Sequence, residues 1–595
     1  MKRLIGISAA ALLMACQPAS SEKQAAAPID MAQTIDYFEG AWTPQQTGPL
    51  LDKTMRLRFP YDASLLSAGE QEAVKELLAA GARLHSLYLD QVHPQSRAVE
   101  AAMAGTDRQD LKDLFRMMKG PIATTLENTR EPFLNVAAST TPRNVYPSDS
   151  SREALDAFIA AHPEKKSDLL HLRSVVKNAN DANKAEALAT LDAHPALEVL
   201  HPGLIETIKQ AEGYFALPYS VAYAEDILFV YDRLMAAASA IENDDVSFAR
   251  FLRLRARDLL ADDYDGGDAT WVTGNFTGNL NAQIGSYETY DDALYGVKSF
   301  FSLSLLQRDK EKSEELASSI GDIQEIEDSL PYAANKTVRS NIPVSVYNII
   351  ADFGQARGTN TATILPNEGH LSRQFGRTIL IRSTVLRNEE IFEESLSAFR
   401  AATSANHHDD LGINGNFYRT LWHEIGHYMG PDQTKIGEDI DAALQDNADL
   451  IEEMKADLVS LFSALKLYKA GNYTEAQLRS IYAGGILRVL NKNRPRREQA
   501  YGTMQLVQWN WFLDKGVLTF DEGKLSIHYD KYPAAVESLL TEVLNLQYQG
   551  NREAAAAFVD EWTAWDKDLH GVIGAAMKAS ETSRFRLVTY EALGE

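Results

Sequence analysis

The chain has 595 residues, 45% of them hydrophobic and 24% charged, with 35 glycines and 20 prolines. This usage excludes collagen-like, low-complexity and wholly disordered chains, and the length calls for two lobes or domains, each with its own core. The formal net charge of −25, from 58 basic and 83 acidic residues, repels phosphate backbones and anionic headgroups, which argues against nucleic acid as a partner.

At the N-terminus, Lys2 and Arg3 precede an apolar run, Leu4 to Met14, that is too short to span a bilayer. Leu13-Met14-Ala15-Cys16 resembles the lipobox of bacterial lipoproteins. Ala15 would precede the cut, and Cys16 would be the acylated first residue of the mature chain. Met14 departs from the usual small or β-branched residue. A lone cysteine is most often a buried inert thiol, but this one closes a signal-like segment. Cys16 is the only cysteine, so the mature chain would hold no free thiol and no disulfide, which suits an oxidising envelope. Gln17, rather than aspartate, points to the outer membrane on its periplasmic side. On this reading 1–15 is a signal peptide and 16–35 a flexible, lipid-anchored tether.

From about Tyr37 the chain is folded. Period-3.6 patterns at 69–89, 221–241 and 246–260 predict amphipathic helices. The Gly- and Asp-rich stretch 262–275 reads as a loop. Residues 341–384 carry β-branched and aromatic runs between Gly, Asn and Pro breaks, and predict a patch of sheet. Helix then returns at 389–402, 415–429, 446–470, 474–492, 497–514, 533–548 and 551–578. The expected fold class is mainly α with a minor β part, α+β.

The strongest chemical signal is His423-Glu424-Ile425-Gly426-His427. An i, i+4 spacing sets both imidazoles on one helix face, with Glu424 beside them to work on a metal-bound water. With 13 histidines in the chain, a chance match arises in about one chain in fifty. A catalytic zinc needs a third protein ligand and one open position. Glu452-Glu453-Met454-Lys455-Ala456-Asp457, on a later helix, offers Glu453 as that ligand. Asp457, one turn on, would accept a hydrogen bond from a ligand imidazole, and Glu452 belongs to the same outer ring. A charged, solvated helix face is the competing reading of this run. His407-His408-Asp409-Asp410 lies in a Gly/Asn-rich stretch and reads as solvated loop.

The two motifs together resemble the dipeptidyl peptidase III family of zinc exopeptidases, in its bacterial branch with a five-residue first motif. Residues 279–301 (NLNAQIGSYETYDDALYGVKSFF), 363–371 (TILPNEGHL) and 499–521 are similar to further family segments, so the likeness covers about 35–595. It implies two lobes separated by a wide cleft. One is a mixed lobe of 36–295, completed by 336–389 and 576–595. The other is a helical zinc lobe of 296–335 and 390–575. It implies one zinc ion and a peptide substrate, with Glu424 as general base and dipeptides as the product. Glu288 would bind the free α-amino group, and Asn367 the peptide backbone. A surface carboxylate is the competing reading of Glu288.

Two positions depart from the family pattern. Ile364 stands where the family strand has asparagine, which removes one amide contact to substrate. Tyr501 stands where a histidine is expected to stabilise the oxyanion. Tyr501 has two readings: donor to the oxyanion, or packing within its helix. Two other functions remain open on sequence alone. One is a zinc hydrolase of a different substrate on the same scaffold, and the other a non-catalytic, peptide-binding envelope lipoprotein. The intact Glu424 argues against the last.

Overall fold

Every residue of strand β1 (Leu280–Ser286) is buried, and this strand forms one edge of a five-stranded sheet. The computed structural model describes residues 35–138, 142–319, 323–338, 344–356, 360–365, 374–376, 378–491 and 500–595. The other strands are β2 (Phe301–Arg308), β3 (Val344–Gly354), β4 (Ala362–Leu365) and β5 (Thr378–Arg382), in the order β1-β2-β3-β5-β4. The pair β3–β5 is parallel and the remaining pairs are antiparallel. Three helices are joined to this sheet in one core: α1 (Ala68–Val92), α2 (Ala224–Ile241) and α3 (Val246–Ala261).

Helix α1 starts at a capping box between Ser67 and Glu70, which satisfies two orphan amides. Its buried stripe, Ala73, Leu77, Ala80, Leu84 and Leu87, follows the helical period. A Cβ on Gly81 would lie 2.3 Å from the Phe353 ring of β3, so only glycine lets helix and sheet approach this closely. Glu70 also accepts from the Asn279 amide at 2.6 Å, tying the helix start to β1.

A second core joins α4 (Ile413–Gly426), α5 (Ala448–Lys469), α6 (Glu475–Leu490), α7 (Ala500–Asp514) and α8 (Tyr532–Gln549). The sheet is shared between the two cores. Leu380 of β5 packs in the first, and its neighbours Ile379 and Ile381 pack in the second, because successive strand residues face opposite ways. The strand Phe585–Tyr590 returns to pair with Thr54–Phe59 beside the first core.

The observed class is mainly α with small sheets, as the sequence predicts. Five details differ. First, 262–275 is no loop: Asp265–Thr273 is a helix. Asp258 accepts from its Gly267 amide, Arg255 pairs with its Asp268, and Trp271 and Val272 are buried. Second, the predicted helix 551–578 is two, Arg552–Trp562 and His570–Ser580. Between them the Asp568 amide bonds the Asp566 carboxylate and the Asp566 amide bonds His570 Nδ1. Third, β1 and β2 are strands outside the expected patch: LNAQIGS in β1 carries no strand pattern, whereas Phe301-Ser302-Leu303-Ser304-Leu305 of β2 does alternate as a strand should. Fourth, the expected lobe boundary puts β2 with the zinc lobe, whereas Leu303, Leu305 and Leu306 pack in the first core. Fifth, His407 is buried rather than solvated. Its Nδ1 bonds Asp410 at 3.0 Å, and its Nε2 accepts from the Ile527 amide at 3.0 Å, pinning loop to hairpin.

Candidate active site

Helices α4 and α5 meet at small residues. A Cβ on Gly426 would stand 3.0 Å from the Ala456 Cα and carbonyl oxygen, so Gly426 and Ala456 set the separation of the two helices. That closeness brings His423 and His427 on α4 to Glu453 on α5. One potential ligand atom from each lies within 4.8 Å of the others. Among the described residues no other group of three His, Cys, Asp or Glu does this.

Each imidazole is aimed from behind by a carboxylate. His423 Nδ1 donates to Asp457 Oδ1 at 2.7 Å, and His427 Nδ1 donates to Glu452 Oε1 at 2.8 Å. An ionised carboxylate only accepts, so both rings carry hydrogen on Nδ1 and turn Nε2 to the centre. His423 Nε2 lies 3.3 Å from Glu453 Oε2. Tetrahedral zinc, with bonds of about 2.0–2.1 Å, separates neighbouring ligand atoms by about 3.3 Å. Glu453 Oε2 is buried without a hydrogen-bond partner, an arrangement that calls for a cation. The residues therefore fit zinc.

The electrostatics agree. Burial pulls the His423 pKa down, but the charge and hydrogen bond of Asp457, with the Glu453 carboxylate close by, lift it to about 9. The field that holds a proton on Nε2 would hold a metal ion there instead. Burial pushes the Asp457 carboxyl up, yet Arg488, His423 and Arg419 hold it well below the usual carboxylate range. Burial likewise opposes ionisation of Glu452, and Lys455 and His427 outweigh it.

This outer ring is larger than the sequence suggests. Asp457 also accepts from Arg419 Nη1 at 3.1 Å and Arg488 Nε at 3.3 Å. Glu452 accepts from Gln547 Nε2 at 2.8 Å and pairs with Lys455 Nζ at 2.8 Å. Lys455 Nζ donates as well to the Met429 carbonyl, fastening the chain just past α4. Arg419 sits one turn before His423 on the same face, a spacing visible in the sequence. Arg488 and Gln547 come from α6 and α8, and no local pattern marks them.

The centre opens into a cavity of about 590 Å³ between the two cores. His423, Glu424, His427, Asp449, Glu453 and Tyr501 line the helical side, and Gln283, Glu288, Tyr290 and Thr363 line the sheet side. Glu424 is partly exposed to it. Burial raises the Glu288 pKa, and among the described residues no ion pair neutralises its carboxylate. Tyr290, in the segment that carries Glu288, is a wall residue with no role assigned from sequence. Tyr501 opens α7 and is 46% exposed. Ile364 sits in β4 opposite Ile379 of β5. Asn367 and Cys16 lie outside the described residues.

No family model matches the chain. A protein of Arabidopsis thaliana named Nudix hydrolase 3 is 25% identical over 540 residues, covering 84% of this chain and 68% of that protein. The structure of DPP III from Caldithrix abyssi superposes with a TM-score of 0.76 at 24% identity, over 93% of this chain and 99% of that one. Dipeptidyl-peptidase III from Corallococcus sp. strain EGB superposes with a TM-score of 0.70 at 22% identity, over 92% and 97%. Nearly the whole of this chain thus adopts the fold of the dipeptidyl peptidase III structures.

Proposed function

We propose that this chain is a zinc-dependent exopeptidase that releases dipeptides from the free N-terminus of peptides. The observation that carries this reading is the pair of oriented imidazoles and Glu453, facing across one cavity a half-buried carboxylate, Glu288. His423, His427 and Glu453 would hold zinc, which would supply Lewis acidity when bound. Glu424, beside His423, takes the proton of the attacking water and returns it to the leaving amine. Glu288 pairs with the substrate ammonium, so the distance from Glu288 to the centre counts residues from the N-terminus. Asn367 is proposed to hold the peptide backbone.

We also propose that residues 1–15 are removed and that Cys16 is lipidated, tethering the enzyme to the outer membrane on its periplasmic side. Among the described residues no helix is long and apolar enough to cross a membrane.

The test is release of a chromogenic amine from a dipeptidyl substrate, with none from single-residue or N-blocked substrates, together with one zinc per chain. Glu424→Gln should keep zinc and lose about 10²–10⁴ in turnover. Equal activity on the N-blocked substrate would point to another hydrolase on the same scaffold. No hydrolysis of any peptide by zinc-loaded protein would leave a binding protein.

A further inference from the structure

We propose that Gln283 and Thr363 form a pair of hydrogen-bond donors for a backbone carbonyl of the bound peptide, with buried Arg382 as the residue that sets their direction. The inference rests on the peptidase reading above.

Arg382 ends β5 and is fully buried. Its Nη1 lies 3.7 Å from Asp352 Oδ2 of β3. Its Nη2, with two N–H bonds, is shared among three acceptors, Ser304 Oγ of β2 at 3.1 Å, Gln283 Oε1 of β1 at 3.4 Å and Thr363 Oγ1 of β4 at 3.4 Å. One guanidinium thus reaches across the sheet beneath the cavity floor. Burying such a charge is costly, and packing alone does not require it, since Leu380 and Ile381 beside it are apolar.

The chemistry of the guanidinium decides what its neighbours can do. It holds five N–H donors and no acceptor, so every group bonded to it must accept. Gln283 therefore turns Oε1 down to Arg382, which leaves the two N–H bonds of Nε2 for the cavity. Thr363 spends an oxygen lone pair on Arg382, which leaves its O–H hydrogen to donate elsewhere. Both residues line the cavity. The adjacent positive charge polarises both groups and strengthens them as donors. The surrounding wall supplies the complementary chemistry, because Glu288, Glu424 and Asp449 accept when ionised. A peptide backbone presents N–H and C=O together, and the carboxylates can hold only the first. Gln283 and Thr363 supply partners for the second.

The test uses full-length, zinc-loaded enzyme, with KM, kcat, zinc content and melting temperature read on each variant. Gln283→Glu keeps the acceptor for Arg382 and removes both donors. Gln283→Met removes donor and acceptor without adding charge. Thr363→Val removes the hydroxyl, and Thr363→Ser restores it. We expect KM for a dipeptidyl substrate to rise about 3–10-fold in the first three, the loss of one hydrogen bond, with kcat and zinc little changed. Thr363→Ser should stay near wild type. Arg382→Lys, a positioning variant, should raise KM with zinc retained. A wild-type KM in Thr363→Val, or a rise in Gln283→Glu unmatched by Gln283→Met, overturns the donor pair and leaves the peptidase reading standing. If wild-type enzyme neither cleaves nor binds free-amine peptides, both readings fall.

Discussion

Glu452 and Glu453, adjacent in the chain, serve opposite sides of one imidazole pair. Glu452 accepts from His427 Nδ1 at 2.8 Å, behind the ring, while Glu453 Oε2 lies 3.3 Å from His423 Nε2, in front. Successive helical residues point about 100° apart, so one helix α5 offers both a carboxylate that could hold a metal and a buttress without a break.

The two carboxylates should therefore fail differently. Glu453→Ala should lose zinc outright, because it removes a ligand. Asp457→Asn and Glu452→Ala should retain the three ligands and lose about 10–100-fold in metal affinity or activity. Competition against a chelator measures both. Equal zinc affinity in wild type and Glu453→Ala would identify a different third ligand.

Glu288 carries a cost that the proposed ammonium role would explain. Burial raises its pKa above the usual 4.5, so the fold favours the neutral acid. Its contribution to stability is intact below the unfolded value and is lost as pH rises through the higher folded value. Glu288→Gln should thus melt higher than wild type at pH 8, with the gain vanishing near pH 4. The same variant should raise KM for a free-amine peptide by 10-fold or more, and change it little for an N-blocked one. A melting difference independent of pH would sink the burial account, and an unchanged KM would sink the ammonium role.

The site was more legible than the scaffold beneath it. His423, Glu424, His427, Glu453 and Asp457 lie on two helices at spacings that a linear sequence displays. The cations that hold Asp457 and Glu452 include Arg488 from α6, and Gln547 comes from α8, and only folding brings them near. The sheet under the cavity was half visible. Strands β3 and β5 have β-branched runs, but β1 reads LNAQIGS and is buried at every position, so its small and polar residues carried no strand signal. Gln283 belongs to that hidden part, and Arg382 ends the visible strand β5. Their polarity looks like surface in the sequence, and their burial is a fact of the sheet.

Cys16→Ala should abolish lipid attachment and leave either a soluble form or an uncleaved precursor. Fractionation with and without detergent, and mass of the N-terminal peptide, read the outcome. Unchanged, detergent-requiring protein would end the lipoprotein proposal.

Tyr501 stands at the cavity wall, which favours donation over packing within its helix. It lines the same space as Glu424 and Glu453, and its ring lies 5.2 Å from the Arg488 guanidinium. Burial first, then the charge of Glu453, push its phenol well above the usual value despite Arg488. A hydroxyl that holds its proton can donate to the oxyanion. As water adds to the carbonyl, negative charge gathers on oxygen, and one well-placed donor is worth about 10²–10³ in rate. The nearby Glu453 carboxylate competes for that hydroxyl, so the gain here should sit near or below the lower end. Tyr501→Phe removes the hydroxyl and nothing else. We expect kcat to fall tenfold or more, with KM, zinc content and melting temperature close to wild type. A fall in melting temperature with unchanged kcat would make Tyr501 a packing residue after all.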